Sequence, residues 1–220
     1  MTPYQEFQNC ISAAHDLVKI YKEMRNHRGI GLKGQLDAKN LDLLWLPRSA
    51  VVTSLSALDS YIHKVLIDKV PTVLKSNAPP ISICAIFAEK YQVKNGEGFR
   101  NVLSLINSPD PISELLKKLK EDVLAFQSYQ APEKIIHAYS LIGHDNIFAS
   151  VADKWPGPAS TENDIKRRLT NYVKRRNQIA HEGDFESSGH VRHIKPEYAK
   201  DCYEFVEALA KKLNLIVYKI

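Results

Sequence analysis

The run Lys174-Arg175-Arg176-Asn177-Gln178-Ile179-Ala180-His181 brings guanidinium, amide and imidazole groups close together in the chain. Read as a helix, Ile165, Leu169, Tyr172, Arg176 and Ile179 follow a 4-3-4-3 spacing that sets Arg176 on the apolar seam. A guanidinium keeps its charge, so on a seam it must face a carboxylate, a cleft or a subunit interface. Asn177 and His181 are four residues apart and share a flank of the helix. His181 falls in the last turn before Gly183, where the helix dipole favours a protonated imidazole. This set suits phosphate chemistry: imidazole moves protons near neutral pH, and guanidinium holds the charge that builds on phosphorus. A structural reading competes with it, in which His181 ends the helix and Arg176 pairs with a buried Asp59. The residue types leave both open.

Lys166, Arg167, Arg168, Lys174, Arg175 and Arg176 place six cations in eleven positions with no acid among them. Such a run either lies on a solvated helix face or holds a polyanion backbone, and Lys174 and Arg175 are the candidates for phosphate contacts. Two other patterns carry less. Gly29-x-Gly31-x-x-Gly34 matches a dinucleotide fingerprint as a string, but it follows a helix and has no βαβ unit around it, so it reads as a connector. His190-x-x-His193, near His181 and Glu182, could ligate a metal, but loop histidines without a fixed scaffold more often meet solvent or phosphate.

The elements that must position these groups read as helices. Tyr4, Phe7, Ile11, Ala14, Val18 and Tyr21 line one face of a helix over residues 4–28. Asp37 is placed to cap a short helix running to Trp45, and Pro47 marks the first turn of a long one over 48–70, closed by Pro71. Between Ser49 and Ile62 its only charge is Asp59, which predicts the most buried helix and a partner for that carboxylate. Residues 72–159 read as an inserted middle region of short helices (82–93, 98–107, 112–129, 132–142 and 146–154), cut by prolines, Asn95-Gly96 and Gly143. Ser160 or Thr161, with Asp164, opens a helix over 160–183, and Pro196 opens the last, over 196–217. The expected architecture is all-α: one domain over 1–220, with core helices at both ends.

Composition agrees with a folded protein. The chain has 220 residues, 44% hydrophobic and 25% charged, enough for a core without metals or disulfides. Thirty Lys+Arg against 25 Asp+Glu give +5, compatible with a polyanionic partner. Cys10, Cys84 and Cys202 are far apart and form no CxxC pair, which argues against a disulfide framework or zinc knuckle. The first residues lack the pattern of a signal peptide, and the uncharged stretch 76–88 is too short to span a membrane, so a cytoplasmic protein is expected.

Arg176-Asn177-Gln178-Ile179-Ala180-His181 matches the R-x4–6-H motif of the HEPN superfamily, including the polar residue after the arginine, and it ends a late helix. The segment Arg48–His63 also resembles the second helix of such proteins, and Asp59 with Tyr61 is similar to the acidic–aromatic pattern of the RiboL-PSP-HEPN branch. The resemblance is close over residues 45–70 and 160–215 and loose between. It implies a HEPN-like helical bundle and a metal-independent endoribonuclease with no cofactor, often a toxin or an anti-phage effector. Arg176 and His181 would be catalytic with Asn177 supporting them, Asp59 would be structural or tune His181, and the products would carry 2′,3′-cyclic phosphate and 5′-OH ends. It also implies RNA as partner, a homodimer joining two motifs in one cleft, and an antitoxin or other regulatory protein. Glu182 and Gly183 stand where toxins modified by a partner nucleotidyltransferase carry a tyrosine two residues after the histidine, so that arrangement gains no support. The alternative is a non-catalytic HEPN module that binds RNA or a protein partner in defence.

Overall fold

Helix α1, Pro3–His27, starts at a capping box in which the Thr2 side chain accepts from Gln5 N and the Gln5 side chain accepts from Thr2 N. Its buried face holds the stripe read from the sequence: Phe7, Ile11, Ala14, Val18 and Tyr21, extended by Arg25. A 3₁₀ segment, Ala38–Leu44, leads directly into α2, Trp45–Leu74. This computed structural model describes residues 1–31, 36–155 and 161–219; Gly34 and Ser160, named above, lie outside them.

Helix α2 runs through Pro71 instead of stopping there. A proline deletes one N–H and leaves the bonds of its neighbours, so near a helix end it need not terminate the helix. Val51, Leu55, Leu58, Tyr61, Ile62, Val65, Leu66 and Val70 are all nearly or fully buried, as expected of the central helix. The stretch Ala38–Leu74 contains a window long and apolar enough to cross a membrane, and 56% of that window is buried inside the fold, the usual state of a core helix.

Short helices follow: α3 (Ile81–Lys90), α4 (Gly96–Ile106), α5 (Pro111–Asp122), α6 (Pro132–Ser140) and α7 (Ile147–Ala152). Asn95 and Asp110 cap α4 and α5 by accepting from Gly98 N and Ser113 N. The predicted 112–129 helix stops earlier, at Asp122, and a 3₁₀ turn over Leu124–Phe126 follows. Helices α8 (Glu162–Glu182) and α9 (Pro196–Tyr218) close the chain. The described residues are all-α, with one isolated antiparallel bridge, Phe185 to Val191, in the loop between α8 and α9.

The chain divides into two compact units, one comprising Met1–Tyr61 and Ala149–Ile220, the other Ile62–Phe148. Helix α2, at 30 residues, supplies residues to each. In the first unit α1 packs along α9, with the His15 ring stacked 4.0 Å from Tyr203 and His15 Nε2 3.3 Å from Glu207. In the second, His63 Nε2 lies 3.1 Å from Leu124 O, and Ser82 Oγ donates to Ser140 O (2.8 Å).

Cys202 lies wholly buried on α9, and burial pushes its thiol up to about 12, outweighing the opposing effects of Ser54 and Arg168. Cys10 and Cys84 are exposed. Thiolate, not thiol, is the nucleophile. At mildly alkaline pH a thiol reagent should therefore titrate Cys10 and Cys84 in the native protein and reach Cys202 only after denaturation; rapid modification of all three native thiols would contradict this packing.

Candidate active site

Helix α8 is fixed at both ends by its own sequence. At the start Thr161 and Asp164 form a reciprocal capping box. At the other end Gly183 takes a left-handed φ of 63°, and both Gly183 N and Asp184 N donate back to Gln178 O, the latter at 3.0 Å, which closes the last turn. A side chain at Gly183 would be strained by that φ and would bring its Cβ to 3.1 Å from the Phe185 ring.

Asp184 is also left-handed, with φ 61°, a conformation that non-glycine residues hold only when their surroundings enforce it. The enforcement is electrostatic. Asp184 is fully buried and accepts from two guanidiniums: Arg48 Nε at 2.5 Å, and Arg175 through Nη2 at 2.8 Å and through Nη1. Arg48, itself 2% exposed, spends its other donors on Leu44 O (2.9 Å) and Arg192 O (2.5 Å), and stacks 5.1 Å from the Trp45 ring. Arg175 reaches His193 O at 3.3 Å, and Arg192 N donates to Asp184 O at 2.7 Å. The start of α2, the end of α8 and the loop before α9 are thus tied at one carboxylate.

On the outer side of this tie lie the predicted catalytic groups. Arg176 Nη1 donates to Asn177 Oδ1 (3.0 Å) and stands 3.4 Å from His181 Nε2. Asn177 and His181 are exposed, whereas Arg176 is half-buried, and its Nε is buried with no hydrogen-bond partner among the described residues. Arg176, Asn177 and His181 therefore converge at one helix end, with the guanidinium within reach of the imidazole.

The remaining predicted residues are placed differently. Asp59 is half-buried on α2, and the hydrogen-bond partners of Arg176 among the described residues are Asn177 and His181. A buried pairing exists between Arg48 and Asp184. Arg175, taken above as a phosphate contact, is 13% exposed and committed to Asp184. A guanidinium held bidentate by a buried carboxylate has its donors already occupied. Lys174 is exposed and has no carboxylate partner among the described residues. Within the basic run, Lys166 pairs with Glu162 and Arg167 with Asp164, which leaves Arg168, Lys174 and Arg176 without an ion pair among the described residues.

Arg48 and Asp184 escaped the sequence reading. The signal was present only in outline: Arg48 is a charge at the head of an otherwise apolar helix, and Asp184 follows the glycine that ends α8. As to metals, no group of three or more His, Cys, Asp or Glu among the described residues could hold an ion, so His181, His190 and His193 do not assemble into one.

An all-α chain whose late helix ends in a solvent-facing Arg–Asn–His set, with one more helix after it, defines the class. The RiboL-PSP-HEPN family model matches residues 15–219, and the chain belongs to that family. The match runs through the middle region that the sequence motifs covered only loosely. No curated protein and no solved structure matches the chain. HEPN domains commonly bind RNA, often dimerise and include ribonucleases, so RNA cleavage or RNA binding in defence is the functional class that membership supports.

Removing Asp184 leaves two guanidiniums facing each other in a buried site. Asp184→Ala should cost about 3–5 kcal/mol in urea unfolding, the range for breaking a buried ion pair from one side. A loss below about 1 kcal/mol would show that the triad is not structural.

Proposed function

We propose that this protein is a metal-independent endoribonuclease in which His181 moves protons and Arg176 stabilises the phosphorane, with Asn177 orienting Arg176. The observation that carries this reading is the approach of Arg176 Nη1 to His181 Nε2 (3.4 Å) at an exposed helix end whose backbone is locked by the buried Asp184 tie.

RNA supplies its own nucleophile. His181 Nε2 takes the proton of a 2′-OH, the freed oxygen attacks the adjacent phosphorus, and the P–O5′ bond breaks, leaving a 2′,3′-cyclic phosphate and a 5′-OH. Negative charge rises on the non-bridging oxygens as the pentavalent species forms, and a guanidinium in place beforehand stabilises it with little reorganisation. The departing 5′-oxygen needs a proton. In a homodimer that joins two such helix ends, one imidazole serves as base and the other, protonated, as acid, which divides the two tasks that a single histidine would have to perform in turn. The buried, unpartnered Nε of Arg176 supports a further ligand or a second chain at this place. The setting is that of a cytoplasmic toxin or anti-phage effector, restrained by an antitoxin or other regulatory protein.

Cleavage of mixed RNA in the presence of EDTA tests this reading. Wild type should give fragments ending in cyclic phosphate, and His181→Ala and Arg176→Ala should each lose at least about a hundredfold in rate while keeping the native melting temperature. Equal cleavage by His181→Ala would overturn the mechanism. RNA binding without cleavage by wild type would move the protein to the non-catalytic branch of its family.

Lys174 and Arg175 separate in the same assay. Lys174→Ala should lower the slope of log affinity against log salt by about 0.7, the value for one phosphate contact on a single strand. Arg175→Ala should act through stability, because its guanidinium is bound to Asp184.

A further inference from the structure

Beside α8, well away from His181, aromatic and cationic side chains line a cavity of about 450 Å³. That volume is within the roughly 300–1,000 Å³ of small-molecule sites. Ile165, Arg168 and Asn171 line it from α8, the latter two exposed, and Phe205 lines it from α9. Trp155, just after α7, completes the lining, its ring 5.4 Å from Phe205 and tilted 44° to it.

Arg168 is held but not neutralised. Its Cζ lies 4.8 Å from the centre of the Phe205 ring and 5.8 Å from that of Tyr172, and Nε donates to Tyr172 Oη (3.3 Å). No carboxylate pairs with it among the described residues. The acid in the lining, Asp164, accepts from Thr161 and from Arg167 (2.7 Å), so the rim pair Asp164–Arg167 adds no net charge. The cavity therefore offers an indole ring, an amide and one oriented, uncompensated guanidinium. A stacked base, its polar edge and a phosphate need these three groups.

Arg167, Lys174 and His181 recur at i, i+7 and i+14, with Asn171 and Gln178 between them, which aligns the cavity and the helix end along one polar stripe of α8. At about 1.5 Å per residue Arg168 and His181 are about 20 Å apart along the helix, so one strand could occupy both places only by running along it.

We propose that the Trp155–Arg168–Asn171 cavity binds one nucleotide of an RNA strand, with the base against Trp155 and the phosphate on Arg168, as a subsite remote from the cut. This rests on the RNA-directed reading above, but not on catalysis. The stacked guanidinium orients the strand, and the nucleotide there anchors the RNA while His181 meets a phosphate further along.

The chain has two tryptophans, so Trp45→Phe leaves Trp155 as the sole indole reporter. A short 2′-O-methyl oligoribonucleotide, which lacks the nucleophile and cannot be cut, should quench its emission. Arg168→Gln should weaken that binding about tenfold and lower the salt slope by about 0.7. Asn171→Asp, at an exposed helix position where folding is not at risk, should weaken it similarly by placing a carboxylate at the phosphate. Unchanged emission at saturation, or unchanged affinity in both variants, would overturn the proposal. Adenosine monophosphate binding as tightly as the oligonucleotide would also overturn it, assigning the cavity to a free nucleotide. Quenching by the oligonucleotide with no cleavage of natural RNA would keep the subsite and remove the nuclease; cleavage with Trp155 unquenched would do the reverse.

Discussion

Two guanidiniums, from Arg48 and Arg175, share one fully buried carboxylate, Asp184, and the geometry of the helix end depends on that arrangement. Removing three charges from water is costly, and the cost is offset only if donors and acceptors are nearly all used. Here they are: Arg48 divides its donors between Asp184, Leu44 O and Arg192 O, Arg175 adds His193 O, and the Trp45 ring covers Arg48. What such a cluster contributes most clearly is registry. A carboxylate that must meet two forks at once leaves the backbone little choice, and Asp184 accepts a left-handed φ to meet them.

His181 lies three residues before that point, in the last turn of α8. A helix end in water frays, and a catalytic group there would have no fixed position. The backbone bonds to Gln178 O and the tie through Asp184 remove this freedom from the turn that carries His181 and Arg176, while both keep access to solvent or to a second chain. Rigid support behind an exposed functional face is the arrangement that positioned catalysis requires.

The same pairing sorts the basic run. Six cations within eleven positions suggest a uniform phosphate-binding face, but three are matched to carboxylates: Lys166 to Glu162, Arg167 to Asp164 and Arg175 to Asp184. The charge left to attract an anion is carried by Arg168, Lys174 and Arg176, spread along α8 from the aromatic cavity to the helix end. A polyanion would meet separated contacts, which suits a strand laid along the helix better than a phosphate cluster at one point.

The sequence by itself determined the all-α class, nearly every helix, and the residues of the motif, because these are local properties. Apolar periodicity, the Thr161–Asp164 capping box and the glycine after Glu182 act within a few residues of the place they specify. It also placed Arg176, Asn177 and His181 within reach of one another, since one helical turn brings them together. Only the tertiary structure decided which charges are paired. Arg48 and Asp184 are 136 residues apart, and no local pattern records a contact closed by folding. The partner of Arg175 is hidden for the same reason: burial and partnership belong to the packed chain, and a charge read along one helix does not reveal which acid arrives from another.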